Sequence, residues 1–304
     1  MITHPGKVLF PDAGITKGDL AAYYDDVAAV MLPHLRGRPV TMERYPAGIG
    51  AQGFWQKDVS RGFPAWLTRV SVRKKAGGTV HYPVANDRRA LRWMSNQNTI
   101  THHVWTSRTP RLDHPDLCVF DLDPSTDDVA AVRQAAIALR DLLHELGLTS
   151  WIKTSGSKGF HIVVAVDGRT PVDEVVRFAD TAARLFVSRA SDTLTLEFSR
   201  ANRGGRIYVD TGRNTQGATF AAPYTVRARP GAPVSAPCTW AEVEAARVHP
   251  RSFTLKNMPA RLQDVGDLWE SLRRQGRSLA RPMAKLRRLI SMDGRVDAHG
   301  SGRR

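Results

Sequence analysis

Leu117-Cys118-Val119-Phe120-Asp121-Leu122-Asp123-Pro124 is an apolar run that turns acidic and is stopped by proline. So short a run, bounded by a breaker, reads as a buried strand. Successive strand side chains leave opposite faces, so Asp121 and Asp123 share one face and Leu122 takes the other. Working outward, Ser125 or Thr126 supplies a cap for a helix whose apolar stripe is Val129, Val132, Leu139, Leu142 and Leu146, and Gly147 ends it. Residues 151–154 and 160–166 read as two further strands, joined by the tight loop Ser155-Gly156-Ser157-Lys158-Gly159. A second helix opens at Pro171 and runs to about residue 189. Ile207-Tyr208-Val209-Asp210 is again a strand ending in an acid, with Tyr208 and Asp210 on one face. This order of elements predicts an α+β fold with a mainly antiparallel central sheet flanked by helices.

Towards the N-terminus, Thr16-Lys17-Gly18-Asp19 has the pattern of a capping box, followed by Leu20, Tyr24, Val27 and Met31 at helical spacing. Residues 39–85 read as short strands and turns rich in glycine and aromatics. From Ser271 onward, Arg273, Arg274, Arg277, Arg281, Lys285, Arg287, Arg288, Arg295, Arg303 and Arg304 face only Asp293 and Asp297. The reading there is a basic helix to about residue 290 and a flexible basic tail over 291–304.

The 304 residues carry 44 Lys and Arg against 29 Asp and Glu, a net charge of +15. With 42% hydrophobic and 24% charged residues the composition is that of a folded chain, neither disordered nor fibrous. No run approaches the ~20 apolar residues that span a bilayer, and the opening MITHPGKVLF lacks a secretory pattern. Cys118 and Cys238 are too few for a disulfide framework or a four-cysteine zinc site, and suit a reducing cytoplasm. The excess of cations points to a polyanionic partner, most simply nucleic acid.

Two carboxylates on one strand face repel unless a cation joins them. Hard oxygen ligands suit Mg²⁺ or Mn²⁺, and Asp210 from another strand would complete the triad used in two-metal phosphoryl transfer. An Asp-x-Asp also occurs at solvated strand ends, in glycosyltransferases and in aspartyl phosphohydrolases that use the first Asp as nucleophile. In the Ser155–Gly159 loop, glycines let backbone N–H groups crowd an anion while the hydroxyls and Lys158 add donors and charge. His161 follows on the outgoing strand. Taken alone, the loop reads better as a plain hairpin turn with an exposed lysine. Arg200, Arg203, Arg206 and Arg213 flank Asp210, with Arg227 and Arg229 beyond; guanidinium forks match phosphate, although half or more of such a set belong to a solvated surface. Phe54-Trp55 and Trp66 offer stacking faces. His102-His103 makes a metal pair only with a third ligand, and no cysteine or spaced histidine stands near.

The ordered set Phe120-Asp121-Leu122-Asp123-Pro124, Thr154-Ser155-Gly156-Ser157-Lys158-Gly159-Phe160-His161, Val209-Asp210, Arg213-Asn214 and Pro223-Tyr224-Thr225-Val226-Arg227 resembles the polymerase domain of bacterial ligase D. That domain is a primase-polymerase, a branch of the archaeo-eukaryotic primase superfamily. The resemblance runs from Lys7-Val8-Leu9-Phe10-Pro11 to about Trp240-Ala241-Glu242. It implies a primase-like catalytic core and a template-dependent nucleotidyltransferase that fills short gaps or extends broken DNA ends, as in non-homologous end joining. Asp121, Asp123 and Asp210 match the catalytic metal carboxylates, with two ions, Mn²⁺ preferred over Mg²⁺. Ser155, Ser157, Lys158, His161 and Arg227 match triphosphate contacts, and His103 and Arg44 match further nucleotide contacts. Lys7 and Lys17 resemble the lysines that hold a 5′-phosphate across a gap, and Phe54 and Trp55 a pair that stacks on the template.

The resemblance further implies DNA with 5′-phosphorylated gaps or ends, NTP and dNTP substrates, a separate DNA ligase and the Ku end-binding protein as partners, in a nucleoid-associated cytoplasmic protein. Residues 1–290 are expected as one domain: 1–110 for DNA binding, 111–245 as catalytic core and 246–290 as a C-terminal helical part. His4 and Glu43 depart from residues some relatives carry, an Asn in the 5′-phosphate pocket and a basic residue beside Arg44. With no room for the ligase and phosphoesterase modules, a stand-alone polymerase is expected. A non-catalytic DNA-end module that recruits a ligase is the rival. An aspartyl phosphohydrolase fits less well, because Pro124-Ser125 follows Asp123 where that class usually has Gly and then Thr or Val.

Overall fold

A computed structural model describes residues 1–74 and 76–300, with side chains to residue 292. Leu117–Pro124 is the centre of a six-stranded sheet. It pairs antiparallel with Phe160–Ala165 on one side and Ile207–Asp210 on the other. Beyond Phe160–Ala165 lie Ser150–Thr154 and Pro237–Cys238, both antiparallel; beyond Ile207–Asp210 lies Leu194–Thr195, the one parallel pairing. The expected antiparallel sheet is therefore present.

The helices that follow the strands are Val129–Glu145 and Val172–Ser188. The first is capped by Asp128, whose carboxylate accepts from the Ala131 N–H at 2.9 Å, and not by Ser125 or Thr126. The strand keeps its pairing out to Pro124, so the next residues make the turn before the helix can begin. Ser125 instead donates its hydroxyl to the Arg206 carbonyl at 2.7 Å. Near the N-terminus the capping box between Thr16 and Asp19 is present and starts Lys17–Asp26. The expected single stripe is split at Val27, and a second helix, Ala28–Leu35, carries Met31.

A second sheet holds, in order, Phe220–Ala221, Thr99–Val104, Val40–Arg44 and Phe54–Gln56, all antiparallel. Its Phe220 ring lies 6.3 Å from the His161 ring and 5.7 Å from the Lys153 ammonium, so the two sheets meet over the polar face of the central one. Arg69–Arg73 and Thr79–Pro83 form a hairpin with a small apolar cluster of Val80, Tyr82 and Trp105. One contiguous set of buried apolar side chains runs from Leu9 to Leu286. Its aromatic members Phe120, Phe160 and Phe178 are fully buried, each worth about 1.5–3 kcal/mol against exposure.

The C-terminal part comprises Met258–Val265 and the helix Ala280–Gly300. The helix passes residue 290, where the sequence reading ended it; side chains from 293 and all of 301–304 lie outside the described residues. Among the described residues no helix is long and apolar enough to cross a membrane.

Candidate active site

Register places the acids. Asp121 is the cross-strand partner of Asp210 on one side and of His161 on the other, and His161 in turn is opposite Lys153. Directly opposed residues share a face, so Asp210, Asp121, His161 and Lys153 make one polar row across four strands. Asp123, two residues on, is opposite Tyr208, whose hydroxyl is 3.5 Å from Asp210 Oδ1. The Gly212 N–H fixes that same oxygen at 2.8 Å.

Arginines hold all three carboxylates. Arg213 bridges two of them, its Nε 3.4 Å from Asp121 and a terminal nitrogen 3.1 Å from Asp210. Arg203 takes Asp123 at 2.9 Å while donating to the carbonyls of Glu197 and Phe198. With the acids so paired, no three His, Cys, Asp or Glu side chains among the described residues close on one metal position. The charge balance is nevertheless incomplete. Burial pushes the Asp121 carboxyl up to about 6, with Arg213 opposing the rise and the neighbouring Asp210 and Asp123 adding to it. The largely buried Asp121 and Asp210 share the single guanidinium of Arg213, with the exposed Asp123 beside them on Arg203; hard carboxylate oxygens so grouped suit Mg²⁺ or Mn²⁺, so these residues fit such ions.

His161 is buried, and that burial, reinforced by the charges of Lys153 and Arg227, lowers its pKa well below the usual range. It stands as a neutral ring, Nε2 at 3.4 Å from Asp121 and Nδ1 buried without a partner. Lys153, which sequence reasoning missed, is fully buried and donates to the Ser235 hydroxyl. Only its place opposite His161 in the register reveals it.

The loop between the strands is shaped by close approach. A Cβ on Gly159 would lie 1.7 Å from the Leu122 carbonyl oxygen, and one on Gly156, at φ +66°, 2.6 Å from Arg227 Cγ. Glycine is thus required for the loop to lie against the acid strand and under Arg227. The Ser155 hydroxyl accepts from the N–H groups of Ser157 and Gly159, both at 3.1 Å, so those donors brace the loop. Arg227 donates to the Ser155 carbonyl at 2.6 Å and keeps a buried Nε without a partner. Lys158 pairs with Asp127 at 2.8 Å.

On the second sheet, His103 Nε2 meets Glu43 at 3.1 Å, and the Trp55 ring lies 4.4 Å from the imidazole. Burial lowers His103 to about 4 despite that carboxylate. Burial would raise Glu43, but the hydrogen bond and charge of His103 lead the groups that hold it at about 2. At neutral pH the contact is therefore a hydrogen bond from a neutral ring to a carboxylate. His102 leaves the opposite face, fully buried with both ring nitrogens unpartnered and Tyr24 edge-on at 4.7 Å. Strand alternation thus rules out a His102-His103 metal pair.

The same alternation separates Phe54 from Trp55. Phe54 is opposite Arg44, which sits 5.1 Å over its ring and donates to the Gln97 carbonyl and to Gln56. The structure therefore gathers His103 and Trp55 with Glu43, and keeps Arg44 and Phe54 apart from them. Both aromatics are exposed on an edge strand, as two stacking faces rather than one.

Lys7 and Lys17 do come together, in a cavity of about 670 Å³ that Thr3, His4, Asn96 and Asn98 also line. Lys17 is 3% exposed and donates to the Thr3 hydroxyl at 3.1 Å. Burial, then the charge of Lys7, lowers its pKa. No carboxylate pairs with either lysine among the described residues. The asparagines carried no sequence signal, since they reach the cavity from the end of a separate helix.

Comparison with known proteins follows this geometry. The family model of the LigD primase-polymerase domain matches residues 16–269. The multifunctional non-homologous end joining DNA repair protein LigD of Mycobacterium tuberculosis is 35% identical over 286 residues, covering 89% of this chain and 36% of the relative. The bifunctional non-homologous end joining protein LigD of Bacillus subtilis is 30% identical over 262 residues, covering 86% and 42%. The chain thus spans about a third to two fifths of the length of these relatives. Among solved structures, the polymerase domain of Mycobacterium tuberculosis ligase D in complex with DNA superimposes with a TM-score of 0.84 at 33% identity, covering 91% of this chain and 98% of that one.

Proposed function

The chain belongs to the LigD primase-polymerase domain family, and from that membership we propose that it is a template-dependent nucleotidyltransferase. It would act as a DNA-directed DNA/RNA polymerase, filling short gaps or extending broken ends in repair such as non-homologous end joining. The observation that carries the reading is the row Asp210, Asp121, His161 across three adjacent strands, with the Ser155–Gly159 loop at its edge.

Asp121, Asp123 and Asp210 would hold two divalent ions, Mn²⁺ or Mg²⁺, which when bound supply Lewis acidity for the primer 3′-hydroxyl and the α-phosphate. Arg227, with an unused buried donor, and Lys158 bind the triphosphate by charge-assisted hydrogen bonds. Ser155 braces the loop while Ser157 lines its outer side. The neutral His161 turns its Nε2–H towards Asp121 and keeps Nδ1 as an acceptor for a substrate hydroxyl. His103 and Trp55 offer a ring wall to the nucleotide, and Arg44 steadies Phe54 as a separate stacking face for DNA. The Lys7 and Lys17 cavity takes a 5′-phosphate. DNA is thus the polyanion the net charge of +15 calls for. A ligase and the Ku end-binding protein would be partners in a nucleoid-associated cytoplasmic setting.

The test is extension of a labelled primer across a short gap bearing a 5′-phosphate, with Mn²⁺ and with dNTPs and NTPs in separate reactions. Template-directed extension that disappears in Asp121→Ala/Asp123→Ala is expected, and the two nucleotide sets read out sugar preference. Tight gap binding without extension would favour a recruiting module instead.

A further inference from the structure

Behind the Ser155–Gly159 loop lies a cavity of about 180 Å³, lined by Ser157, Lys158, His249, Arg251 and Asp127 among others. Besides the Ser157 hydroxyl, three of these side chains can donate to an anion. Among the described residues Lys158 is engaged by Asp127 alone, at 2.8 Å. Arg251 uses only Nε, which donates to the Ser157 carbonyl at 2.9 Å, and its terminal nitrogens have no partner among the described residues. His249 Nδ1 accepts from the Arg251 N–H at 3.2 Å, which leaves Nε2 as the ring's donor. The segment is pinned to the loop, since the Gly156 N–H donates to the Pro250 carbonyl at 3.1 Å.

Asp127 is the odd member. It is 86% exposed, and an exposed Lys–Asp pair contributes little to a fold. Its carboxylate puts an anionic oxygen on the Lys158 ammonium, which is what a phosphate oxygen would do there. Arg251 and Arg200 add their fields to the same carboxylate.

We propose that this cavity is the subsite for the terminal phosphate of the incoming nucleoside triphosphate, that His249 and Arg251 are ligands of that phosphate, and that Asp127 holds its place until it arrives. The proposal rests on the nucleotidyltransferase reading above. A triphosphate must displace the carboxylate from Lys158 and then bear its repulsion. A diphosphate lacks that terminal phosphate and so meets neither the added donors nor the added acid. The cavity therefore sets the preference for triphosphate over diphosphate, and Asp127 tempers it.

The experiment is equilibrium titration of the full chain with ATP and with ADP in Mn²⁺, for wild type, Arg251→Ala and Asp127→Asn. Loss of one charge-assisted contact in Arg251→Ala should weaken ATP about tenfold or more while changing ADP less than about twofold. Asp127→Asn should move the other way, tightening ATP about threefold and leaving ADP alone. A common loss of both ligands in Arg251→Ala, or no change in either, overturns the subsite. No tightening of ATP in Asp127→Asn overturns the placeholder. Failure of wild type to bind either nucleotide would instead overturn the polymerase reading, and the subsite with it.

Discussion

Asp116 lies just before the start of the strand Leu117–Pro124 and Asp121 towards its far end, and the two are treated in opposite ways. Asp116 receives Arg38 at 2.6 Å and Arg108 at 2.8 Å, and Arg38 is itself locked by the carbonyls of His34 and Trp105. Burial works against its ionised form, yet those two guanidinium groups hold the carboxyl below its ordinary range. Among the described residues Asp121 is offered only Arg213 and His161, each at 3.4 Å, and burial takes it up to about 6. One end closes its charge balance with short, forked contacts; the other is left short of positive charge. The first pattern belongs to a fold element, and the second is the one the proposed cation site calls for.

The largest effect that could break this contrast is on activity. Asp210→Asn keeps the size of the side chain and the Gly212 contact but removes a charge from the row; primer extension should fall by about 1,000-fold or more, from loss of several kcal/mol of transition-state stabilisation. Gapped-DNA affinity, read by fluorescence anisotropy, should stay within about twofold. Extension near the wild-type rate would remove Asp210 from the site. At the other end, Asp116→Ala should leave Arg38 buried and uncompensated, costing about 3–5 kcal/mol. A lowered urea midpoint with unchanged slope would register it. A loss under about 1 kcal/mol would put both ends on the same footing.

Acidity sharpens the comparison further. The folded-state pKa of Asp121, at about 6, lies above the ordinary carboxylate value near ~4. Folding therefore favours its protonated form: the penalty is absent below pH ~4, grows as pH rises, and is complete above the folded value, on the order of 2 kcal/mol. Asp116 has the opposite sign. Its stabilisation is present above pH ~4 and is lost as pH falls through its depressed folded value. In chelator at pH 7.5, Asp121→Asn should then melt a few degrees above wild type, and the gap should close by pH ~4. Mn²⁺ should raise the wild-type melting temperature at pH 7.5 and leave that of Asp121→Asn nearly unchanged. A variant that melts below wild type at pH 7.5 would mean that Asp121 is paired as well as Asp116.

The two ends also differ in how far they could be read in advance. The Asp121 end was legible because its parts are local: an Asp-x-Asp at a strand terminus, a glycine loop and a second acidic strand end carry their geometry in period-two alternation. Alternation was equally able to separate His102 from His103 and Phe54 from Trp55, since adjacent strand residues cannot share a face. The Asp128 cap was obscured by two better-placed hydroxyl residues, Ser125 and Thr126, which the length of the strand consumed in the turn. What stayed hidden is what only tertiary pairing makes: Lys153 opposite His161, Arg203 on Asp123, Glu43 on His103 and the approach of His249 and Arg251 to the loop. Arg38 and Arg108 on Asp116 belong to the same class, because nothing local distinguishes an arginine that closes a fold from one that faces a phosphate.

Lys17 tests that last distinction with the smallest expected effect. Like Arg38 it is a buried cation, but it has a hydroxyl where Arg38 has a carboxylate, and Lys7 stands beside it as a second uncompensated charge. A buried ammonium without an anion is costly to the folded state, so a purely structural role is disfavoured and a phosphate is the partner that would balance it. Lys17→Ala should accordingly leave the urea midpoint unchanged or slightly raised. It should reduce, by about tenfold, the preference for a gap with a 5′-phosphate over one without, the size of one charge-assisted contact. The slope of log affinity against log salt for the phosphorylated gap should fall by about one. Retention of the phosphate preference would empty the cavity of its role. A stability loss of about 2 kcal/mol or more would place Lys17 with Arg38 on the structural side.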